Sequence, residues 1–309
     1  MNRVDVREFS KRELQSAMAE ANQHKLSSLS DHKEKILTAL KHGRSLTGLK
    51  TPWDSLNSKF RLSKGLSILG GINGHFKSTI ASQLMLNIAK HHKAGLISLE
   101  MEITDIAEVL GMQASNSDVK PTSEFMEQTF LPWSEDRIFV YDHIGSINPM
   151  EALGAVDAML QEHCRFVILD SMMMTRVMDD HDKEREFTQA LVGLARLYGA
   201  NICLVHHSKK LDTSDDMPPQ RSDLRGSGNI VDVAAQAIVV WHNKRKSYLK
   251  NRIADGHEPD AKEKKYLKTA ADLKFIVIKN RHSAHEGVTD LIQKGLNFWD
   301  NQQGSFSFE

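Results

Sequence analysis

"GLSILGGINGHFKST", residues 65–79, is a short apolar run that breaks into glycines and ends in Lys77, Ser78 and Thr79. The stretch is one residue away from the phosphate-loop pattern G-x-x-x-x-G-K-[ST], because Phe76 stands where the glycine before the lysine belongs. Its context fits that pattern. The apolar run 65–71 reads as a strand, and Lys77–Lys90 reads as a helix with Ile80, Ala81, Leu84, Met85 and Ile88 on one face. In such a loop the backbone N–H groups point inward, and a helix N-terminus favours an anion. Gly71, Asn73, Gly74, His75, Phe76, Lys77, Ser78 and Thr79 are therefore the candidate nucleotide-binding residues. Lys77 would reach the phosphates of ATP, and Ser78 would place its hydroxyl on Mg²⁺. If position 76 requires a positive φ, a phenylalanine there costs about 1–2 kcal/mol. Charge-assisted bonds to a triphosphate are large enough to offset that.

Working outward, strands and helices alternate. "AGLISLEM" (94–101), "RIFVYD" (137–142), "RFVILD" (165–170) and "ANICLVHH" (200–207) read as strands, and helices are expected near 149–163 and 184–198. "AAQAIVVWHN" (234–243) and "LKFIVIKNR" (273–281) are further strands, and "GLNFWD" and "SFSFE" close the chain as strand-like pieces. Short, continuously apolar strands alternating with helices imply an α/β fold with a mostly parallel sheet covered on both faces. Glu100, Asp170, His206 and His207 fall at the carboxyl ends of these strands, the edge where open α/β sheets bind ligands. Asp170 would be the second holder of the metal ion. Glu100 would orient and deprotonate an attacking water. Either histidine would touch the terminal phosphate.

Net charge is zero with 40 basic and 40 acidic residues, so bulk charge selects no partner. Cys164 and Cys203 sit in apolar surroundings and read as buried reduced thiols. No apolar run approaches the ~18–20 residues that span a bilayer, and the polar first thirty residues are not a signal peptide, so a cytoplasmic protein without membrane contact is expected. Residues 1–45 read as a helical arm, with capping-box spacing at Ser10–Glu13 and again at Asp31–Glu34, preceding a main domain over 46–309. Segment 244–268 carries nine Lys/Arg against four Asp/Glu and reads as a charged helical insertion.

Several motifs then occur in one order: "SLEM" (98–101), "VILDSM" (167–172), "HHSKK" (206–210), "SDLRGSGNIVDVA" (222–234) and "VIKNRHSAHEGV" (277–288). In that order they resemble the C-terminal ATPase domain of the DnaB-type (superfamily 4) hexameric replicative helicases, over about residues 46–309. The resemblance implies a RecA-like P-loop NTPase core with a short helical N-terminal arm. It makes Glu100 the catalytic base and places the phosphate sensor on His207. Lys279 and Arg281 become the lysine and arginine finger that enter a neighbouring subunit's site. It puts Lys209, the weaker candidate Lys210, and Arg225 on single-stranded DNA. ATP and Mg²⁺ are the implied cofactors. The implied partners are further copies of the chain in a six-membered ring, and replisome proteins such as a primase, a polymerase and a loader. Translocation would run 5′ to 3′. No primase domain precedes the core, which suits a phage-encoded protein working in a bacterial host's cytoplasm.

Two other readings fit some of these residues. One is a RecA-like ATP- and DNA-binding assembly or mediator protein, with weak ATPase activity and no unwinding, motivated by Phe76 and the neutral charge. The other is a metabolic P-loop kinase, which leaves the 222–234 and 277–288 segments unexplained.

Overall fold

The computed structural model describes residues 28–41, 47–175, 181–207, 218, 228–283, 285–301 and 304–308. The expected capping box at Ser10–Glu13 and the candidate DNA contacts Lys209, Lys210 and Arg225 lie outside the described residues. The chain divides into two units, residues 1–45 and 46–309. Within the first, a 3₁₀ turn Leu29–His32 runs into helix α1, Lys33–Lys41. The capping box here is Ser28 with Asp31, not Asp31 with Glu34: the Asp31 carboxylate accepts from the Ser28 N–H at 2.9 Å.

The second unit is built on one nine-stranded sheet. In chain order the strands are β1 Gly65–Gly71, β2 Ala94–Ser98, β3 Ile138–Tyr141, β4 Phe166–Asp170, β5 Asn201–His207, β6 Gln236–His242, β7 Leu273–Asn280, β8 Gly287–Lys294 and β9 Asn297–Trp299. Their spatial order is β3-β2-β4-β5-β1-β6-β7-β8-β9. Pairings from β3 through β6 are parallel, and those from β6 through β9 are antiparallel. β1 and β6 are buried along their whole length, and β5 at all but its last residue. That is why they read as unbroken apolar runs rather than as alternating ones.

The pleat sends alternate residues into two cores. Leu66, Ile68, Ile202 and Leu204 join one, with Val156, Phe187 and Leu191 from helices α2 (Pro149–Gln161) and α3 (His181–Tyr198). Leu69, Cys203, Val205 and Phe275 join the other, with Trp53, Phe60, Ile80, Leu84, Ile106 and Leu110. α2 begins where its sequence says it should: Asn148 accepts the Glu151 N–H at 2.9 Å, and Pro149 fills the first helical position. Both cysteines are buried and free, and burial pushes the thiols up to about 11 for Cys164 and about 12 for Cys203.

Two edge features differ from the sequence expectation. β8 was not foreseen; its pattern is mixed because most of the strand is only half covered. Described residues of "SFSFE" form no strand. Phe306 and Phe308 instead pack edge-on to Trp133, each with centroids 5.5 Å away. The charged insertion is two helices, Lys244–Ala254 and Ala261–Thr269, joining β6 to the antiparallel β7.

Candidate functional site

β1 ends at Gly71, where a side chain is impossible: an added Cβ would lie 2.5 Å from the Val240 carbonyl oxygen of neighbouring β6. The chain then turns through Gly74 at φ +76°, with the His75 N–H donating to the Ile72 carbonyl at 3.3 Å. Phe76 is the N-cap of the helix Lys77–Ala89 and sits in the left-handed region at φ 62°, ψ 28°. Position 76 therefore has the backbone for which glycine is the easy choice. Its ring does not fill the loop. It packs on Phe298 and His242, at centroid distances of 5.2 and 4.7 Å. The N-cap side chain makes no capping hydrogen bond, so it leaves the N–H groups of the first turn for another acceptor.

Four of the candidate side chains converge at this edge. Lys77 is buried and donates to the Ile72 carbonyl at 3.0 Å. Burial lowers its pKa to about 8, against the pull of Asp170 and Glu100. Asp170 closes β4 opposite Ser98 and hydrogen-bonds the Ser78 hydroxyl. Burial raises the Asp170 carboxyl, the Ser78 bond opposes that, nearby Glu100 raises it further, and Lys77 draws it back. Glu100 lies two residues past β2, exposed, and accepts the Ser171 hydroxyl at 2.9 Å. Ser171 was not picked out from the sequence, although it directly follows Asp170 in "VILDSM".

His207 pairs with Gly71 across the β1–β5 ladder, and its Nδ1 meets Asn73 Oδ1 of the loop. An acceptor oxygen there places the proton on Nδ1. Burial lowers the His207 pKa, with Lys77 adding to the effect and Glu100 opposing it. His206 is buried, and burial, His207 and Lys77 together lower it to about 4. His75 accepts the His242 backbone N–H at 3.1 Å, which ties the loop to the end of β6. His242 was also missed in the sequence, although it is a polar residue ending an apolar strand like the others.

Lys279 and Arg281 are elsewhere. Asn280 pairs with Gln236 at the start of β6, and the Arg281 N–H donates to the Ala235 carbonyl at 3.0 Å. β6 runs parallel to β1, so these residues lie at the sheet edge opposite the loop. Lys279 Nζ donates to the Val231 and Asp232 carbonyls at 2.5 and 2.9 Å, and the Arg281 guanidinium also meets the Asp232 carbonyl.

The donor set at the loop suits a hard cation: the Ser78 hydroxyl and Asp170 carboxylate lie side by side, and both are oxygen ligands. Among the described residues no group of three or more His, Cys, Asp or Glu forms a protein-only metal cage. A cavity of about 250 Å³ lined by Ser78, Asp170, Leu96, Met101, Ile106 and Leu110 adjoins this pair.

A strand–loop–helix of this kind, separated by one strand (β5) from a strand ending in aspartate on a mostly parallel sheet, defines the RecA-like ATPase class. The chain belongs to the DnaB-like helicase family: the profile described as DnaB-like helicase C terminal domain matches residues 48–299. Its fold is similar to a solved structure described as an ATPase domain, with TM-score 0.68 and 14% identity over 90% of this chain and 100% of that one. It is also similar to a chain from "The Structure Of A DnaB-Like Replicative Helicase And Its Interactions With Primase", with TM-score 0.66 and 15% identity over 93% of this chain and 70% of that one. The comparison with curated proteins found no match. Among the described residues no helix is long and apolar enough to cross a membrane.

Proposed function

We propose that this chain is the ATP-hydrolysing motor of a DNA helicase, acting in replication and moving 5′ to 3′ on single-stranded DNA as a ring of six copies. The observation that carries the reading is the division of the machinery between two edges of one sheet. Lys77, Ser78, Asp170, Glu100 and His207 gather at one edge, and Lys279 and Arg281 lie at the other. A single copy does not bring the two sets together, whereas head-to-tail copies present the basic edge of one to the loop of the next.

In this reading the first-turn N–H groups and Lys77 hold the β- and γ-phosphates of ATP. Ser78 and Asp170 hold Mg²⁺, which when bound neutralises charge on the phosphate oxygens. Glu100, steadied by Ser171, takes the proton of the attacking water. His207 senses the γ-phosphate and passes its loss to Asn73. Arg281, with Lys279 beside it, leaves the Asp232 carbonyl to stabilise charge on the phosphoryl group of the next subunit. Lys209, Lys210 and Arg225 contact the DNA backbone, and a primase, polymerase and loader are the partners such a motor serves.

The test combines the ATPase rate with and without single-stranded DNA, a mass measurement with a non-hydrolysable nucleotide, and unwinding of a forked duplex. DNA-stimulated hydrolysis, an oligomer and strand displacement are expected. ATP binding with negligible unwinding would favour the mediator reading instead.

A further inference from the structure

The amino edge of the parallel strands holds a second, separate cavity of about 380 Å³. That is within the ~300–1,000 Å³ typical of small-molecule sites. Its basic residues come from four places in the chain. Lys64 immediately precedes β1, Arg165 precedes β4, His92 follows the helix after the phosphate loop, and His282 follows β7. Among the described residues no carboxylate lines it. Two of its lining residues, Ser63 and Asn201, are buried, and Ser63 Oγ and Asn201 Oδ1 present almost no surface to it. Their remaining groups are engaged: the Ser63 N–H donates to Gln236 at 2.9 Å, and Asn201 Nδ2 donates to the Ser63 carbonyl at 2.6 Å and to Ser67 Oγ at 2.7 Å.

We propose that this cavity binds a small phosphorylated anion, distinct from the ATP held at the phosphate loop. Lys64 and Arg165 supply permanent charge for the phosphate. The two histidines respond to occupancy. Burial lowers His92, helped by Arg165 and His91, and burial lowers His282, helped by Lys64 and Arg281. A dianion among them reverses the repulsion, so binding takes up protons and strengthens as pH falls below the ordinary histidine range.

The experiment uses the full chain carrying Lys77→Ala, so that the phosphate loop is weakened independently of this cavity. Imidazole signals of His92 and His282 are followed by NMR during titration with AMP, inorganic phosphate, adenosine or a single-stranded oligonucleotide. AMP and phosphate should shift both signals and raise both pKa values, and adenosine should leave them unmoved. Lys64→Ala with Arg165→Ala should weaken AMP binding at least tenfold. If that pair fails to fold, Arg165→Gln alone carries the comparison. Silence towards AMP and phosphate, an equal response to adenosine, or unchanged binding in the charge variants would overturn the proposal. So would capture of the oligonucleotide through these residues without AMP binding. None of these outcomes depends on whether the chain hydrolyses ATP.

Discussion

The ring of Phe76 stands edge-on to the imidazole of His242, with centroids 4.7 Å apart and planes at 87°. This contact reconciles a bulky residue with a loop built for glycine. The backbone at 76 is left-handed, which costs a phenylalanine about 1–2 kcal/mol, but the ring is half-buried against His242 and Phe298. Phe76→Ala keeps the backbone cost and loses the ring. Full burial would make that loss ~3–5 kcal/mol, so about 2 kcal/mol is expected for a half-buried ring. Phe76→Gly also loses the ring but regains the backbone cost, and should be destabilised by about 1 kcal/mol. Urea unfolding should therefore order the proteins wild type, then Gly, then Ala. A glycine variant weaker than the alanine one would contradict this account.

Ser171 donates a 2.9 Å hydrogen bond to Glu100, the proposed general base. Its removal should free the carboxylate to wander, and small misplacements of a catalytic group are costly. Ser171→Ala should lower kcat about tenfold and leave KM for ATP within about twofold, whereas Lys77→Ala abolishes turnover. A Ser171→Ala enzyme with normal kcat would remove Ser171 from the machinery.

The sequence exposed the parallel half of the fold because strands buried on both faces leave continuous apolar runs, and their polar tips mark the ligand edge. The positions of Asp170, Glu100 and His207 at the carboxyl edge of the sheet were legible for that reason. The antiparallel half was less so: "GVTDLIQK" mixes polar and apolar residues because β8 is only half covered. The direction taken by the Phe76 ring was not legible, since it depends on His242 and Phe298, which only the folded sheet brings near. The same holds for the parking of Lys279 and Arg281 on Asp232. The choice of Ser28 over Asp31 as the cap was hidden by two overlapping boxes of equal spacing.

Asp272 anchors the charged insertion. It accepts Lys250 Nζ at 2.6 Å and the Gln293 N–H at 3.1 Å, and Lys246 lies 3.2 Å away. Burial alone would raise its carboxyl, but the bonds from Lys250 and Gln293 and the two lysine charges hold it below the usual range. Asp272→Ala leaves Lys246, only 7% exposed, without its counter-charge, and should cost about 3–5 kcal/mol. Because the folded pKa is depressed, this contribution is present above the ordinary carboxylate range and disappears as pH falls through the folded value. The acid limb of the stability profile should flatten in Asp272→Ala. An unchanged acid limb would show that the pair is neutral in effect.

In the proposed site Lys77 makes ATP affinity pH-dependent on the alkaline side. Its pKa of about 8 in the free chain must rise when phosphates replace its carbonyl partner. Binding then requires proton uptake above that value. Affinity should be level below about pH 8 and fall toward tenfold per pH unit above it. Isothermal titration in buffers of different ionisation enthalpy would report the uptake directly. A flat profile to pH 10 would mean that Lys77 stays charged throughout.

The proposed division of the site between copies has a consequence that single-variant kinetics cannot imitate. Lys77→Ala chains keep Arg281, and Arg281→Ala chains keep Lys77. Each should be inactive alone, with the Arg281→Ala chain still binding ATP. When the two are mixed and reassembled at equal amounts, a boundary is intact where an Arg281→Ala chain supplies the loop and a Lys77→Ala chain supplies the finger. Random assembly makes about one boundary in four of this kind. Mixed rings should therefore recover roughly a quarter of wild-type hydrolysis if boundaries fire independently, and less if firing must pass around the ring. Full activity in Arg281→Ala alone would show that the finger is not needed. No recovery on mixing, with exchange of subunits verified by mass, would show that the two edges never meet.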